Sequence, residues 1–150
     1  MNPNQPAATA HSIALHVARR GGTAIALGVF AAAMWFAWLG WDNEYYQVDG
    51  VAQGPYRAWQ VIGCGLSVAA AAVLAYLWVR SVWAIFVLAA AANIGFAVPW
   101  TLHAASTDDS GLFVVGLLFL LVGGGSGLMV LLAVTDAVAT RRLPRPRGHD

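Results

Sequence analysis

Four polar residues that could do chemistry lie inside long apolar runs of this chain: Asn93, Ser67, Ser126 and Gln60. Laid out as helices with a rise of about 1.5 Å per residue, the runs place Asn93, Ser67 and Ser126 at a similar depth. A side-chain amide in hydrocarbon needs partners, so we expect Asn93 to bond to one of these hydroxyls or to a backbone carbonyl. The group could form a small polar binding site or a contact that fixes helix register. The lack of an ionisable member favours the contact.

The ionisable residues outside these runs form no recognisable site. Carboxylates and a histidine are ligands for calcium or zinc, but none of them has a ligand spacing, so we predict no metal site. No serine in an apolar run has a histidine at matching depth, and nucleotide-binding and haem-ligand patterns are absent. We therefore expect no enzyme and no cofactor. The acidic residues and the histidine concerned are Asp42, Glu44, Asp49, His103, Asp108 and Asp109.

The composition requires a membrane. Of the 150 residues 59% are hydrophobic and 10% are charged, and the mean hydropathy is +0.65. A soluble domain carries about a quarter charged residues, which this chain lacks. The sequence thus predicts an all-α protein, a four-helix transmembrane bundle in contact with lipid, and gives no sign of nucleic-acid binding.

The apolar runs set the expected domain organisation. Residues 1–22 form an N-terminal segment whose short helix we expect Gly21 and Gly22 to loosen or break. Residues 23–137 form the membrane domain, and residues 138–150 form a basic tail. A span needs roughly 20 residues to cross the bilayer. The predicted spans are 23–41, 58–79, 82–103 and 112–134.

Arginine placement predicts the orientation. Short loops rich in arginine stay in the cytoplasm, so both termini are predicted to be cytoplasmic in a bacterial plasma membrane. Only Arg57 falls on the other side of a four-span layout. The seven arginines on the cytoplasmic side are Arg19, Arg20, Arg80, Arg141, Arg142, Arg145 and Arg147.

Small residues recur at helical spacing in the first and fourth spans. Gly28 and Ala32 form a pair that would let a neighbouring helix approach closely. In the fourth span Gly123 and Gly127 form a GxxxG motif, with Gly116 two turns earlier on nearly the same face. The motif favours close packing within the chain or across a homodimer. The alternative is a hinge, or irregular backbone lining a substrate path.

Six tryptophans are placed where helices should meet the membrane interface, which amphipathic rings prefer. These predicted anchors are Trp38, Trp41, Trp59, Trp78, Trp83 and Trp100.

The segment between the first two spans is predicted to form an external hairpin. Asp49-Gly50 between β-favouring residues is a type I′ turn signal. A lone hairpin is marginal, so we expect it to pack on the bundle through Tyr45, Tyr46 and Tyr56. The run from Asp49 to Cys64, after a tryptophan-rich span, resembles small, uncharacterised four-span membrane proteins of high-GC Gram-positive bacteria. That resemblance implies no activity.

Two function classes follow from these features. The first is a structural or accessory membrane protein that acts through helix contacts and through the external hairpin, as a homo-oligomer or within a larger complex. The second is an oligomeric transporter or channel for a small solute, which would need Gln60, Ser67, Asn93 and Ser126 to line a wet cavity. An intramembrane enzyme is the weakest alternative.

Overall fold

The computed structural model describes residues 5–41, 46–48, 51–54, 56–108 and 110–142. It confirms an all-α fold with four helices long and apolar enough to cross a membrane. The chain is therefore a multi-pass membrane protein. The helices are α1 (Gln5–Trp38), α2 (Ala58–Val79) and α3 (Val82–Thr107), followed by a fourth span in three consecutive parts, α4 (Phe113–Phe119), a π-helical turn (Leu120–Gly124) and α5 (Gly125–Arg142).

The predicted break at Gly21 and Gly22 is wrong, because α1 runs without interruption from Gln5 to Trp38. A glycine costs a helix about 1 kcal/mol relative to alanine, which weakens a helix without ending it. Helix formers surround this pair on both sides. Because α1 is long and apolar, it stays helical despite this cost.

The predicted hairpin is present as two short antiparallel strands, β1 (Tyr46–Val48) and β2 (Val51–Gln53). Val48 pairs with Val51, so the connection has two residues, as the hairpin prediction required. The turn residues Asp49 and Gly50 lie outside the described residues, as does Tyr45. Of the predicted tyrosine anchors, Tyr56 is described and packs against Trp35, Leu39 and Cys64.

Successive spans run in alternating directions. Trp38 at the end of α1 lies against Gly63 of α2, and Arg19, near the start of the apolar part of α1, reaches Trp78. The connection between α2 and α3 is only Arg80 and Ser81, and Arg80 takes the left-handed conformation, with φ 45°. Such a short turn forces α2 and α3 to be antiparallel neighbours. We call the end that holds Arg19 and Arg80 the basic end, and the other the loop end.

Helix α3 is the centre of the bundle and packs against every other span. Its closest partner is the parallel helix α1. A Cβ on Gly95 of α3 would lie 2.7 Å from the Cα of Gly28, and a Cβ on Gly28 would lie 3.1 Å from the Ala91 carbonyl oxygen. Only residues without a side chain allow backbones to approach so closely.

Helix α2 buries one stripe, in which every fourth residue faces the bundle. Three residues nearer the C-terminus of the stripe pack into a core that also contains Ala31 of α1, Leu88 and Ala89 of α3, and Leu132 of α5. The members of the stripe are Gln60, Cys64, Val68, Ala72 and Tyr76.

The fourth span is held unequally along its length. Helix α5 packs against both α2 and α3, whereas α4 and the π-helical turn contact α3 but not α2 among the described residues. A cleft therefore separates α2 from the loop-end half of the fourth span.

We expect Gly95→Ala to destabilise the protein strongly, because the new methyl group would collide with the backbone of Gly28. Overpacking of this kind typically costs about 1–3 kcal/mol. Thermal unfolding in detergent should show a clearly lower Tm. The control is Gly22→Ala, since that site has open space around it and alanine favours a helix. Equal Tm values for the two variants would contradict the backbone contact.

Candidate functional site

Asn93 makes a buried hydrogen bond between α3 and the fourth span. It faces the interior with 8% of its surface exposed, and its Nδ2 donates to the backbone carbonyl of Leu121 at 2.8 Å. A Cβ on Gly124 would lie 3.0 Å from Asn93 Oδ1, and one on Gly125 would lie 2.9 Å from Nδ2. The two glycines therefore make room for the amide between α3 and the fourth span.

The acceptor of this bond lies in the π-helical turn. The Leu121 carbonyl accepts the backbone N–H of Gly125 as well as the Asn93 amide, which uses both of its lone pairs. Such wider turns occur frequently at functional sites. Hydrogen bonds between membrane helices contribute about 1 kcal/mol each, so this contact fixes register more than it sets total stability.

A cavity of about 220 Å³ lies beside this contact, in the cleft between α2 and the fourth span. Asn93 is its polar wall, and no described donor bonds to its Oδ1. The other walls are apolar or small. They are Leu39, Val61, Cys64, Gly65, Val68, Ala92, Phe96, Leu120, Gly124 and Leu128.

The four polar residues singled out in the sequence do not come together. Ser67 donates to the Gly63 carbonyl at 2.8 Å and Ser126 to the Val122 carbonyl at 2.6 Å, each within its own helix. Ser126 is exposed on the outside of the bundle. Asn93 bonds to a backbone carbonyl, which was the other partner expected for it. The structure therefore does not bring these residues into one polar site, because each hydroxyl is satisfied by its own helix one turn earlier.

Gln60 serves the start of α2. It is fully buried, and its Oε1 accepts the backbone N–H of Arg57 at 2.7 Å, which satisfies one of the free donors at the helix N-terminus. Its Nε2 is buried with no described hydrogen-bond partner, and so is Nε1 of Trp35. Gln60 does not line the cavity of Asn93.

The small residues divide into two groups. Gly28 lies in the α1–α3 contact, and Gly116 lies under the Trp100 ring, where a Cβ would be 2.9 Å from the indole. Ala32 lines a shallow depression beside Pro99. Gly123 and Gly127 have nothing within 4 Å of a Cβ and face outward.

Gly123 and Gly127 therefore do not pack against another described helix of this chain, and that prediction is wrong. Gly123 lies seven positions after Gly116, which puts both on one face of a regular helix. The π-helical turn takes up one extra residue, and Gly124 moves onto that face instead. Leu120 and Gly124 of the π-helical turn line the cavity beside Asn93.

The tryptophans also occupy two kinds of position. Trp41, Trp59, Trp78 and Trp83 are exposed. Trp38 and Trp100 are half-buried helix contacts, since Trp38 packs on Gly63 and Trp100 packs on Gly116. The sequence does not distinguish the two kinds of position, because it does not show which glycines face the tryptophan rings.

Two arginines bind carbonyls near helix C-termini at the basic end. Arg19 donates to the Trp78 carbonyl at 3.0 Å, and its guanidinium lies 4.8 Å from the centre of the Trp78 ring. Arg80 donates to the Ala139 carbonyl at 3.5 Å. Positive charge is favourable at a helix C-terminus, so these contacts tie α1 to α2 and α2 to α5.

No cluster of three or more His, Cys, Asp or Glu that could hold a metal occurs among the described residues. Of the acidic residues and histidine considered in the sequence, His103 and Asp108 are described, and Asp42, Glu44, Asp49 and Asp109 lie outside. His103 lies beside Trp35, with ring centres 5.5 Å apart and ring planes tilted by 54°.

Comparison with known proteins does not assign this chain to a family. The chain matches no protein-family model, and neither a curated protein nor a solved structure shows significant similarity to it.

Asp108 organises the loop between α3 and α4. The Ser110 hydroxyl and the Ser110 backbone N–H both bond to its Oδ1, and the Phe113 N–H donates to Oδ2 at 2.9 Å. The Ser110 hydroxyl, followed by these backbone donors, lowers the pKa of Asp108. Hydrogen bonds to a carboxylate favour its charged form.

We expect Ser110→Ala to raise the pKa of Asp108 toward the ordinary value of about 3.9. Because the folded-state pKa is lowered, these bonds stabilise the loop above the unfolded pKa, and the stabilisation is lost as pH falls through the folded pKa. Carboxyl ¹³C NMR measures the titration. Ser106→Ala is the control, since Ser106 bonds to His103 and not to Asp108. An unchanged pKa in Ser110→Ala would refute this account.

Proposed function

We propose that this chain is a structural or accessory protein of the bacterial plasma membrane that acts by binding another membrane helix through its fourth span. The observation that carries the proposal is the poor coverage of that span. Only 11% of its most apolar window is buried within the chain, compared with 39% for α3. A lipid-facing span does not by itself require a partner, so the shape of the exposed face matters.

The exposed face of the fourth span is built for close approach. Gly123, Ser126 and Gly127 lie outward on it, with Val130 and Val134 continuing the same stripe at helical spacing. Small residues at such spacing allow two backbones to come into contact in a bilayer. No other described helix covers this stripe. A second copy of the chain or a different membrane protein would fit it.

We expect a photoreactive residue in place of Val130 to form a protein adduct in the native membrane, because Val130 is exposed on this stripe. Mass spectrometry of the adduct identifies the partner. Replacing Gly123 and Gly127 together by leucine should abolish the adduct, since the larger side chains hold a partner helix away.

The control is Ala90→Leu, which places a leucine at an exposed position of α3 and should leave the adduct intact. A photoreactive residue in place of Leu74, which is exposed on α2, should capture lipid alone. Lipid as the sole product at Val130, or an adduct unaffected by the glycine replacements, would refute the proposal.

The orientation proposed here places the basic end and both termini in the cytoplasm. The arginine distribution supports it, because arginine-rich short loops are retained on that side. We expect green fluorescent protein to fluoresce at either terminus. Alkaline phosphatase inserted at Ser110 should be active, whereas phosphatase fused after Asp150 should be inactive. Phosphatase activity at the C-terminus would overturn this topology.

A transporter receives less support. The four polar residues that would have to line a shared path are separated, and two of them are satisfied by their own helices. We therefore propose no second function.

A further inference from the structure

We propose that the cavity between α2 and the fourth span binds a compact apolar molecule with one hydroxyl group, and that this hydroxyl donates a hydrogen bond to Oδ1 of Asn93. This ligand site is separate from the exposed glycine stripe, since Gly123 and Gly127 do not line the cavity. The inference does not depend on a protein partner.

The size and walls of the cavity define the apolar part of the ligand. Its volume is about 220 Å³. A protein cavity of about 150 Å³ with similar walls holds benzene, so this one accommodates a substituted benzene or a short branched alcohol. Side chains such as Val68, Phe96 and Leu128 offer no hydrogen bonds. A ligand with several polar groups would leave them unsatisfied there, at a cost in free energy.

Asn93 defines the polar part of the ligand. The Leu121 carbonyl can only accept, so the atom bonded to it must be the amide nitrogen, and the orientation of the amide is fixed. Oδ1 is then an acceptor beside the cavity, on a side chain that is more than nine-tenths buried, with no described donor bonded to it. An unpaired acceptor beside an apolar cavity favours a ligand that brings a donor. A hydroxyl satisfies it, whereas a ketone or an ether does not.

The cleft gives the ligand a route from the bilayer. Helix α2 does not contact α4 or the π-helical turn among the described residues, so the cavity opens sideways between them. Gly65 forms part of its wall, and a Cβ there would meet nothing within 4 Å. An apolar alcohol already dissolved in lipid would enter without crossing water.

Asparagine-selective ¹⁵N NMR in detergent tests the site with p-cresol and toluene as probes. p-Cresol is toluene with one added hydroxyl group. The chain has four asparagines, and the side-chain signals of Asn93 are those missing from Asn93→Leu. We expect p-cresol to shift them saturably, with an apparent Kd about five-fold lower than that of toluene at matched micellar concentrations, as one ordinary hydrogen bond gives.

Filling the cavity should remove the response. Gly65→Leu places a side chain in the open space and should abolish the saturable shift, whereas Ala70→Leu, at an exposed position of the same helix, should retain it. If Gly65→Leu does not fold, nuclear Overhauser effects from the p-cresol ring to the methyl groups of Leu120 and Leu128 locate the probe in the unmodified protein. Equal affinity for both probes, or a shift that persists in folded Gly65→Leu, would overturn the proposal.

Discussion

The contact between the backbones of α1 and α3 is the constraint on which the rest of the bundle depends. Lipid tails are as apolar as leucine, so the hydrophobic effect does little to hold membrane helices together, and close packing must do so. At Gly28 and Gly95 neither helix has a side chain, and a methyl group on Gly95 would overlap the other backbone. This contact fixes α3 at the centre, where it touches every other span.

A central α3 makes a buried amide possible. In hydrocarbon Asn93 must find a partner within the protein, and a neighbouring side chain would normally block the way. Gly124 and Gly125 remove that obstacle, and the Leu121 carbonyl supplies the acceptor. The hydrogen bond of Asn93 and the pair Gly124 and Gly125 therefore form one arrangement. It holds the fourth span against α3 at its midpoint and leaves the loop-end half away from α2.

Much of the fold was predictable from single-residue chemistry. Apolar length predicted the four helices, the shortness of Arg80-Ser81 predicted an antiparallel pair, and the cost of an unpaired amide predicted that Asn93 faces inward. Pairings between distant residues were not predictable. With 16 glycines in the chain, nothing in the sequence marks Gly95 as the partner of Gly28, or Gly63 as the site that receives Trp38. Those pairings are set by three-dimensional packing.

The fourth span shows why a regular helical period can select the wrong glycines. At about 100° per residue, Gly116 and Gly123 differ by about 20° and share a face, while Gly116 and Gly124 differ by about 80°. The π-helical turn accommodates one more residue than an α-helical turn, which brings Gly124 onto the face of Gly116 and turns Gly123 away from α3. As a result Gly116 receives Trp100 and Gly124 receives Asn93, both from α3. The same extra residue turns the Gly123–Gly127 stripe outward, so one local change in helix geometry accounts both for the glycines that receive α3 and for the exposed face.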